Sequence, residues 1–299
     1  MIFDEIKGHS EIKRRLEYAL ESGRVSHAYI FSGKRGVGKK TTAYAFADAL
    51  TDGSRADVTV VTNELYDAAS KSDSVSVKAV RAAAADMYKK PYAADRRVFI
   101  FPDAEKMTPQ AQNALLKTFE EPPAYCVIIL VTQNDSMLLQ TIRSRAVTVR
   151  FKELSDEDIA AYAAENSMDI SPVIVRLASG SIGMARTLCS DGELCGVLNE
   201  FVSLFCKISS GKAADIYRLI KYITNEKKNS EILFDVMLIL LQGSISGSSF
   251  ALSVGGLSAK KAARIAEIIE NTRNSFSYNA GFDAAVSEMM LDILGAVND

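Results

Sequence analysis

Short apolar segments alternate with amphipathic segments along the first half of the chain. The apolar segments have the length of β-strands and lie at 25–31, 58–61, 97–101, 126–131 and 147–151. Helical patterns lie at 39–50, 74–90, 109–121 and 136–142, and the third has Thr108 as N-cap and Pro109 at its first position. Because continuous apolar strands between helices are typical of a parallel sheet covered on both faces, this half predicts an α/β domain.

The second half shows helical periodicity only. After Phe151, residues 155–158 supply a capping serine and acidic side chains suited to a helix N-terminus. Breaks near 209–211, 225–229 and 243–256 separate four or five amphipathic helices, and the Ser- and Gly-rich stretch 243–256 predicts a mobile loop. The pattern therefore predicts an α/β core over 1–152, a small helical domain over 153–192 and an all-α domain over 193–299.

Composition narrows the classes of function. The net charge of −2 lacks the basic excess of a protein that grips a long nucleic acid alone, so such contacts should be local or shared with partners. The chain has no apolar run long enough to span a bilayer and no signal-peptide pattern, so we expect a cytoplasmic protein. Its four cysteines form no CxxC pair, so we expect four buried thiols and no metal site.

The segment from Gly33 to Lys39 fits the phosphate-loop motif G-x-x-x-x-G-K, with Gly36 and Gly38 inside it. It directly follows a predicted strand and opens a predicted helix, which is the context that the motif requires. Glycines let backbone amides close around phosphate oxygens, and Lys39 would reach the outer phosphates of ATP or ADP. The segment therefore predicts a nucleotide site, although a glycine turn that binds nothing is the open alternative.

Two positions depart from the pattern of a hydrolytic site. The residue after the motif lysine should carry a hydroxyl for Mg²⁺, but it is Lys40, whose ammonium has donors only, and Thr41 comes one place later. Asp103 follows a strand and suits an indirect role in holding Mg²⁺, whereas Ala104 stands where a catalytic glutamate is needed. Glu105 lies one residue on and should point elsewhere. We therefore predict a degenerate site, in which fast hydrolysis is not expected.

Three segments together resemble a known family. Residues 106–123 contain N-A-LLK-T-F-EEPP, residues 26–31 read SHAYIF, and residues 141–145 read TIRSR. Their order and spacing over about half of the chain are similar to those of the AAA+ clamp-loader subunits of bacterial DNA polymerase III. The resemblance implies a P-loop AAA+ core, a helical lid over 153–192 and a C-terminal collar that joins a ring of subunits.

The resemblance also implies roles for single residues. Arg145 matches the arginine finger that enters the ATP site of a neighbouring subunit, where its cationic fork would stabilise charge on the γ-phosphate. Thr132 matches the sensor-1 polar residue. Gly183 stands where active subunits carry the sensor-2 arginine, and Arg186 is a weak substitute one helical turn later. In an unrelated protein, Arg145 would be read as a solvated surface charge.

These features favour the delta-prime group over the tau/gamma group, because the arginine finger is kept while three ATPase features are degraded. The implied partners are tau/gamma and delta subunits, with the sliding clamp and primer-template DNA reached through the complex. Two alternatives remain at this stage. The first is a competent AAA+ motor with Thr41 and Glu105 displaced into working positions, and the second is an unrelated P-loop phosphotransferase.

Overall fold

The computed structural model describes residues 2–67, 75–246, 254–275 and 281–299. Two compact units are present, the first comprising the chain up to Asp158 together with Gly180–Gly183, and the second comprising Ile159–Ser179 and Met184–Asp299. Within the described residues, the first unit contains a single five-stranded sheet whose strands are all parallel. The strands are β1 (Ala28–Ser32), β2 (Val58–Val60), β3 (Arg97–Phe101), β4 (Cys126–Thr132) and β5 (Val147–Arg150), in the order β2-β3-β4-β1-β5.

Apolar residues on alternate positions of the strands face two separate layers of helices. Ile128 and Leu130 of β4 belong to one buried cluster, whereas Val127, Ile129 and Val131 belong to the other. The helices of this unit are α1 (Ser10–Glu21), α2 (Lys39–Leu50), α3 (Asn63–Tyr66), α4 (Val77–Asp86), α5 (Pro109–Glu120) and α6 (Gln140–Arg143), followed by the start of α7 (Asp156–Glu165). The predicted α/β core with a parallel sheet is confirmed.

Local capping chemistry explains where several of these helices begin. The hydroxyl of Thr108 accepts a hydrogen bond from the amide of Ala111 at 3.2 Å, and Pro109 occupies the first turn of α5 as predicted. Ser76 caps α4 in the same way, so this helix begins at Val77. The predicted pattern began at residue 74, which lies outside the described residues. The sequence analysis did not predict α1, although this amphipathic helix has twelve residues.

The second unit is helical throughout its described part. It contains the rest of α7, then α8 (Pro172–Ala178), α9 (Ile182–Ser190, of which the first two residues belong to the first unit), α10 (Gly192–Phe205), α11 (Ala213–Asn225), α12 (Ser230–Ser246), α13 (Ala259–Ser275) and α14 (Phe282–Asn298). The C-terminal all-α region is therefore confirmed. The predicted break at Gly243 is wrong, because α12 continues to Ser246, and the rest of that predicted loop up to residue 253 lies outside the described residues.

One hydrophobic cluster joins most of this helical unit. Val173, Ile174 and Leu188 of the predicted lid pack in the same buried cluster as Phe201 and Phe205 of α10. The division of the chain at residues 152 and 192 stays a prediction.

Of the four free thiols only Cys126 is buried, so the expectation of four buried thiols is wrong for Cys189, Cys195 and Cys206, which are partly accessible. Among the described helices, none combines the length and the apolar character needed to cross a bilayer.

A buried carboxylate fixes the segment that leads into β3. Asp57 has no exposed surface and accepts hydrogen bonds from the amides of Tyr92, Ala93 and Ala94 at 2.6–2.9 Å and from the hydroxyl of Ser54. Burial alone would raise the pKa of this carboxyl, but these four donors outweigh it and lower the pKa to about 2. The charged form of Asp57 therefore stabilises the fold.

We expect Asp57→Asn to lower the free energy of unfolding at neutral pH by about 1.5–3 kcal/mol, because a charged acceptor is replaced by an amide that brings its own donors. Since the folded pKa lies below the ordinary value of 3.8, the contribution is complete above about pH 4 and is lost as the pH falls towards about 2. Thermal unfolding across that range should show the difference between variant and parent shrinking. Asp48→Asn on the exposed side of α2 is the control, and equal effects of both changes would contradict the assignment.

Candidate functional site

The sheet brings the predicted site residues to one edge. Ser32 at the end of β1 pairs with Thr132 at the end of β4, and Phe101 of β3 pairs with Leu130 of β4. Asp103 lies two residues beyond Phe101, as Thr132 lies two residues beyond Leu130. The carboxyl ends of parallel strands meet at the same edge, so the glycine-rich loop after β1 and Asp103 become neighbours.

The glycine-rich loop has the backbone that its sequence predicts. Gly33, Gly36 and Gly38 have φ values of 151°, 79° and 99°, a region that side chains with a Cβ rarely adopt. A Cβ at Gly33 would also collide with the carbonyl oxygen of Phe151. The helix α2 begins at Lys39, directly after Gly38, so its N-terminal amides face the loop as phosphate binding requires.

Lys39 is folded back onto the loop. Its side chain is buried, and Nζ donates hydrogen bonds of 2.6 Å to the carbonyl oxygens of Gly33 and Lys34. Burial lowers the pKa of Lys39, while the charge of Glu105 opposes this shift, Lys40 adds to it and Asp103 opposes it. The ammonium thus has two partners within the loop and is placed where phosphate oxygens would compete for it.

Lys40 is paired with Asp103. Its Nζ lies 3.0 Å from Oδ1 and 3.2 Å from Oδ2 of that carboxylate, although 63 residues separate the two positions in the chain. The family's Mg²⁺ therefore fits this site poorly, since an ammonium, which cannot ligate a cation, is in contact with both oxygens of the acid that would help to hold it. Thr41 does not compensate, because its side chain is exposed on α2 one position further along the helix.

Glu105 carries a negative charge that acts on Lys39 of the loop. Of the charges that act on Lys39, Glu105 has the largest influence, and one oxygen of its carboxylate is buried without a hydrogen-bond partner. Glu105 lies within the 3-10 turn Ala104–Lys106. The expectation that Glu105 points away from the catalytic position stays a prediction.

Thr132 is buried, and its hydroxyl is used within its own turn. Oγ1 donates to the carbonyl oxygen of Asn134 at 3.0 Å and accepts from the amide of Asn134 at 3.2 Å. The backbone carbonyl of Thr132 accepts a hydrogen bond from the amide of Gly33 at 3.3 Å, which ties the end of β4 to the start of the loop. Its sensor role stays a prediction.

The segment Gly180–Gly183 packs against the loop within the first unit. The amide of Gly183 donates to the carbonyl oxygen of Gly36 at 3.0 Å, and the amide of Leu154 donates to the carbonyl oxygen of Gly180. A Cβ at Gly183 would lie 2.8 Å from the Cα of Gly36, which is backbone and has little freedom to move. This close approach leaves no room for a side chain at position 183.

Arg145 lies outside the loop site, between α6 and β5. Its side chain is 38% exposed, with Nη1 donating to the carbonyl oxygen of Thr141 at 3.1 Å and Nη2 lying 3.2 Å from Oε1 of Glu120. Exposed ion pairs contribute only about 0–1 kcal/mol, so the contact with Glu120 does not commit the guanidinium to this position. The arginine is thus available at the surface of the first unit.

His9 was not singled out in the sequence but contacts the loop. Its Nε2 lies 2.9 Å from the carbonyl oxygen of Val37, so Nε2 must carry the proton, and its ring meets Phe151 edge-on at 4.9 Å. Burial lowers the pKa of His9, against the opposing effect of that hydrogen bond. His9 also has a left-handed backbone with φ of 51°, which no sequence signal indicates.

Comparisons with known proteins agree with the arrangement of the first unit. A family model described as "DNA polymerase III, delta subunit" matches residues 8–155. DNA polymerase III subunit tau of Bacillus subtilis is 33% identical over 178 residues, which cover 52% of this chain and 30% of that protein. Subunit delta' of the same organism is 24% identical over 262 residues, which cover 79% of this chain and 76% of that protein.

A solved structure of a gamma subunit-related protein of DNA polymerase III from Thermotoga maritima aligns with 94% of this chain and 99% of its own, at 17% identity and a TM-score of 0.46. The chain spans less than a third of the length of the tau relative.

The parallel sheet, the glycine-rich loop after β1 and the helical unit that follows define a P-loop protein of the AAA+ class. The sequence comparisons then indicate the family. The first unit is similar to the DNA polymerase III clamp-loader subunits, whose family model matches just under half of the chain. This similarity argues against the alternative of an unrelated P-loop phosphotransferase.

We expect Gly183→Ala to destabilise the first unit or displace the segment Gly180–Gly183, because the new methyl group meets the backbone of Gly36. Thermal unfolding should record a lowered midpoint. Gly196→Ala, on an exposed position of α10 where a Cβ meets nothing within 4 Å, is the control and should stabilise the chain by about 0.5–1 kcal/mol. A midpoint for Gly183→Ala at or above that of the parent would contradict the close packing.

Proposed function

We propose that the chain is a delta-prime-like subunit of the DNA polymerase III clamp loader, acting in the cytoplasm with little or no ATPase activity of its own. It joins tau/gamma and delta subunits in a ring and helps to load the sliding clamp onto primer-template DNA. Its C-terminal helices form the collar, and Arg145 acts on the nucleotide of a neighbouring subunit. The observation that carries the proposal is an exposed arginine on a unit whose own loop has Lys40 in contact with Asp103.

Geometry at the loop supports weak activity. Hydrolysis of a nucleotide requires a positioned metal and a residue that orients water. Here an ammonium contacts Asp103 where a metal would be expected, Ala104 is buried and has no polar side chain, and Gly183 is packed too closely for a larger residue. Three parts of the catalytic apparatus are thus altered in one site. ATP or ADP can still contact the loop amides and Lys39. The proposal therefore concerns weak hydrolysis and not loss of nucleotide binding.

The surface position of Arg145 supports its action on another subunit. A guanidinium that stabilises charge in trans must reach beyond its own unit, and its planar fork gives it the geometry for phosphate oxygens. Glu120 holds the fork through one exposed contact, which a phosphate in a neighbouring site would outcompete. The alignment with subunit delta' covers most of both chains, which also favours the delta-prime group.

We expect Arg145→Ala to lower the DNA- and clamp-stimulated ATPase rate of the reconstituted complex. Removal of such an arginine costs roughly 10³ to 10⁵-fold at the affected site, so the whole complex, with several sites, should lose only a part of its rate. The measurement is steady-state ATP hydrolysis with tau/gamma and delta subunits, after gel filtration has shown equal assembly. Arg143→Ala removes an exposed arginine two residues away and is the matched control. Equal rates for Arg145→Ala and the parent complex would sink the proposed role.

A second candidate function is a competent ATPase motor of the tau/gamma kind. It is favoured by the position of Glu105, whose charge acts on Lys39 although it is displaced by one residue from the expected position. If Glu105 oriented water, the isolated chain would turn over ATP.

We expect the isolated chain to show negligible ATP turnover, because the loop cannot hold Mg²⁺ in the usual way. Hydrolysis by the purified chain alone is the measurement, and Lys39→Ala is the control for contaminating activity. A turnover that Lys39→Ala and Glu105→Gln both abolish would favour the motor over the delta-prime-like subunit.

A further inference from the structure

The region around the loop contains two cationic and two anionic side chains in close association. Lys39 and Lys40 follow one another at the start of α2, and Asp103 and Glu105 flank the 3-10 turn after β3. Lys40 is in direct contact with Asp103, while Glu105 and Asp103 both act on the charge of Lys39. These four formal charges sum to zero without any added ion.

Lys40 stands at the position that supplies the metal hydroxyl in a complete phosphate loop. The structure adds that this side chain reaches both oxygens of Asp103, at 3.0 and 3.2 Å. An oxygen site for a divalent cation has thus been changed into an ion pair, because a ligand has been replaced by a cation and the remaining acid has been neutralised by it. A divalent cation at Asp103 would have to displace Lys40 and would then lie close to two ammonium groups.

We propose that Lys40 takes the place of the divalent cation at Asp103, so that phosphate ligands of this loop have no requirement for Mg²⁺. This inference rests on the part of the proposed function that concerns the loop and is independent of Arg145. The ammonium keeps one positive charge beside Asp103, close to the loop, but it can neither bridge phosphate oxygens with the carboxylate nor organise water as a metal does. The loop then recognises phosphate through backbone amides and lysine ammonium groups.

Calorimetric titration of the full-length chain with ADP, once with Mg²⁺ and once with EDTA, tests the proposal. The parent protein should bind ADP with the same affinity in both titrations. Lys40→Thr restores a hydroxyl and frees Asp103, so its affinity for ADP should become at least about tenfold higher with Mg²⁺ than with EDTA, which is about 1.4 kcal/mol. Adding Asp103→Asn to Lys40→Thr should remove that difference.

The control is Lys34→Thr, which removes a lysine of the same loop that contacts Glu153 at 3.2 Å instead of Asp103. It should remain indifferent to Mg²⁺. Three results would overturn the proposal: no ADP binding by the parent in either titration, Mg²⁺-dependent binding by the parent, or no gain of Mg²⁺ dependence in Lys40→Thr when its melting curve shows a folded protein. Because Lys40 is exposed, we expect the variant to fold. This titration uses the isolated chain, whereas the test of Arg145 uses the reconstituted complex. Either prediction can therefore fail while the other holds.

Discussion

The parallel pairing of β1 with β4 and of β4 with β3 is the constraint on which the site depends. It places the ends of the three strands at one edge, where the loop that follows Ser32 meets Asp103. Strand pairing fixes the level at which each chain segment leaves the sheet, and a slip of one residue would turn every strand side chain to the other face. The two apolar layers prevent such a slip, because alternate residues of β4 are buried in different clusters.

Electrostatic balance at this edge differs from that of a metal-dependent nucleotide site. Lys39 is held by two carbonyl oxygens of its own loop, and Lys40 is held by Asp103. These contacts satisfy both ammonium groups within the protein itself. The close contact of Gly36 with Gly183 brings the segment Gly180–Gly183 onto the loop backbone. The same features support the proposed weakness of hydrolysis.

Arg145 is held at the surface by weak contacts only. Its partners are the carbonyl oxygen of Thr141, the hydroxyl of Ser144 and the exposed carboxylate of Glu120. Such contacts reduce the freedom of a long side chain while contributing little to stability, so a stronger anion can replace them. Under the proposed role of Arg145, that anion would be the nucleotide of a neighbouring subunit.

Local sequence signals determined much of the fold. Continuous apolar strands, the Thr108-Pro109 cap and the glycine-rich loop gave the bounds of β3 and α2 and the start of α5, because each depends on residues that are close in the chain. The sequence also established that Lys40 stands where a hydroxyl is needed. It missed α1, and it placed a helix break at Gly243 inside α12, where packing of an apolar helix outweighs the weak helix preference of one glycine.

Only the tertiary structure decided which distant groups meet. The contact of Lys40 with Asp103 and the approach of Gly183 to Gly36 both join residues that are far apart in the chain. The distances between these groups follow from the register of the strands and the packing of the helices, which no local sequence pattern encodes. The sequence thus determined the chemical groups available to this protein, and the packing of the sheet edge decided that an ammonium contacts the acid at the metal position.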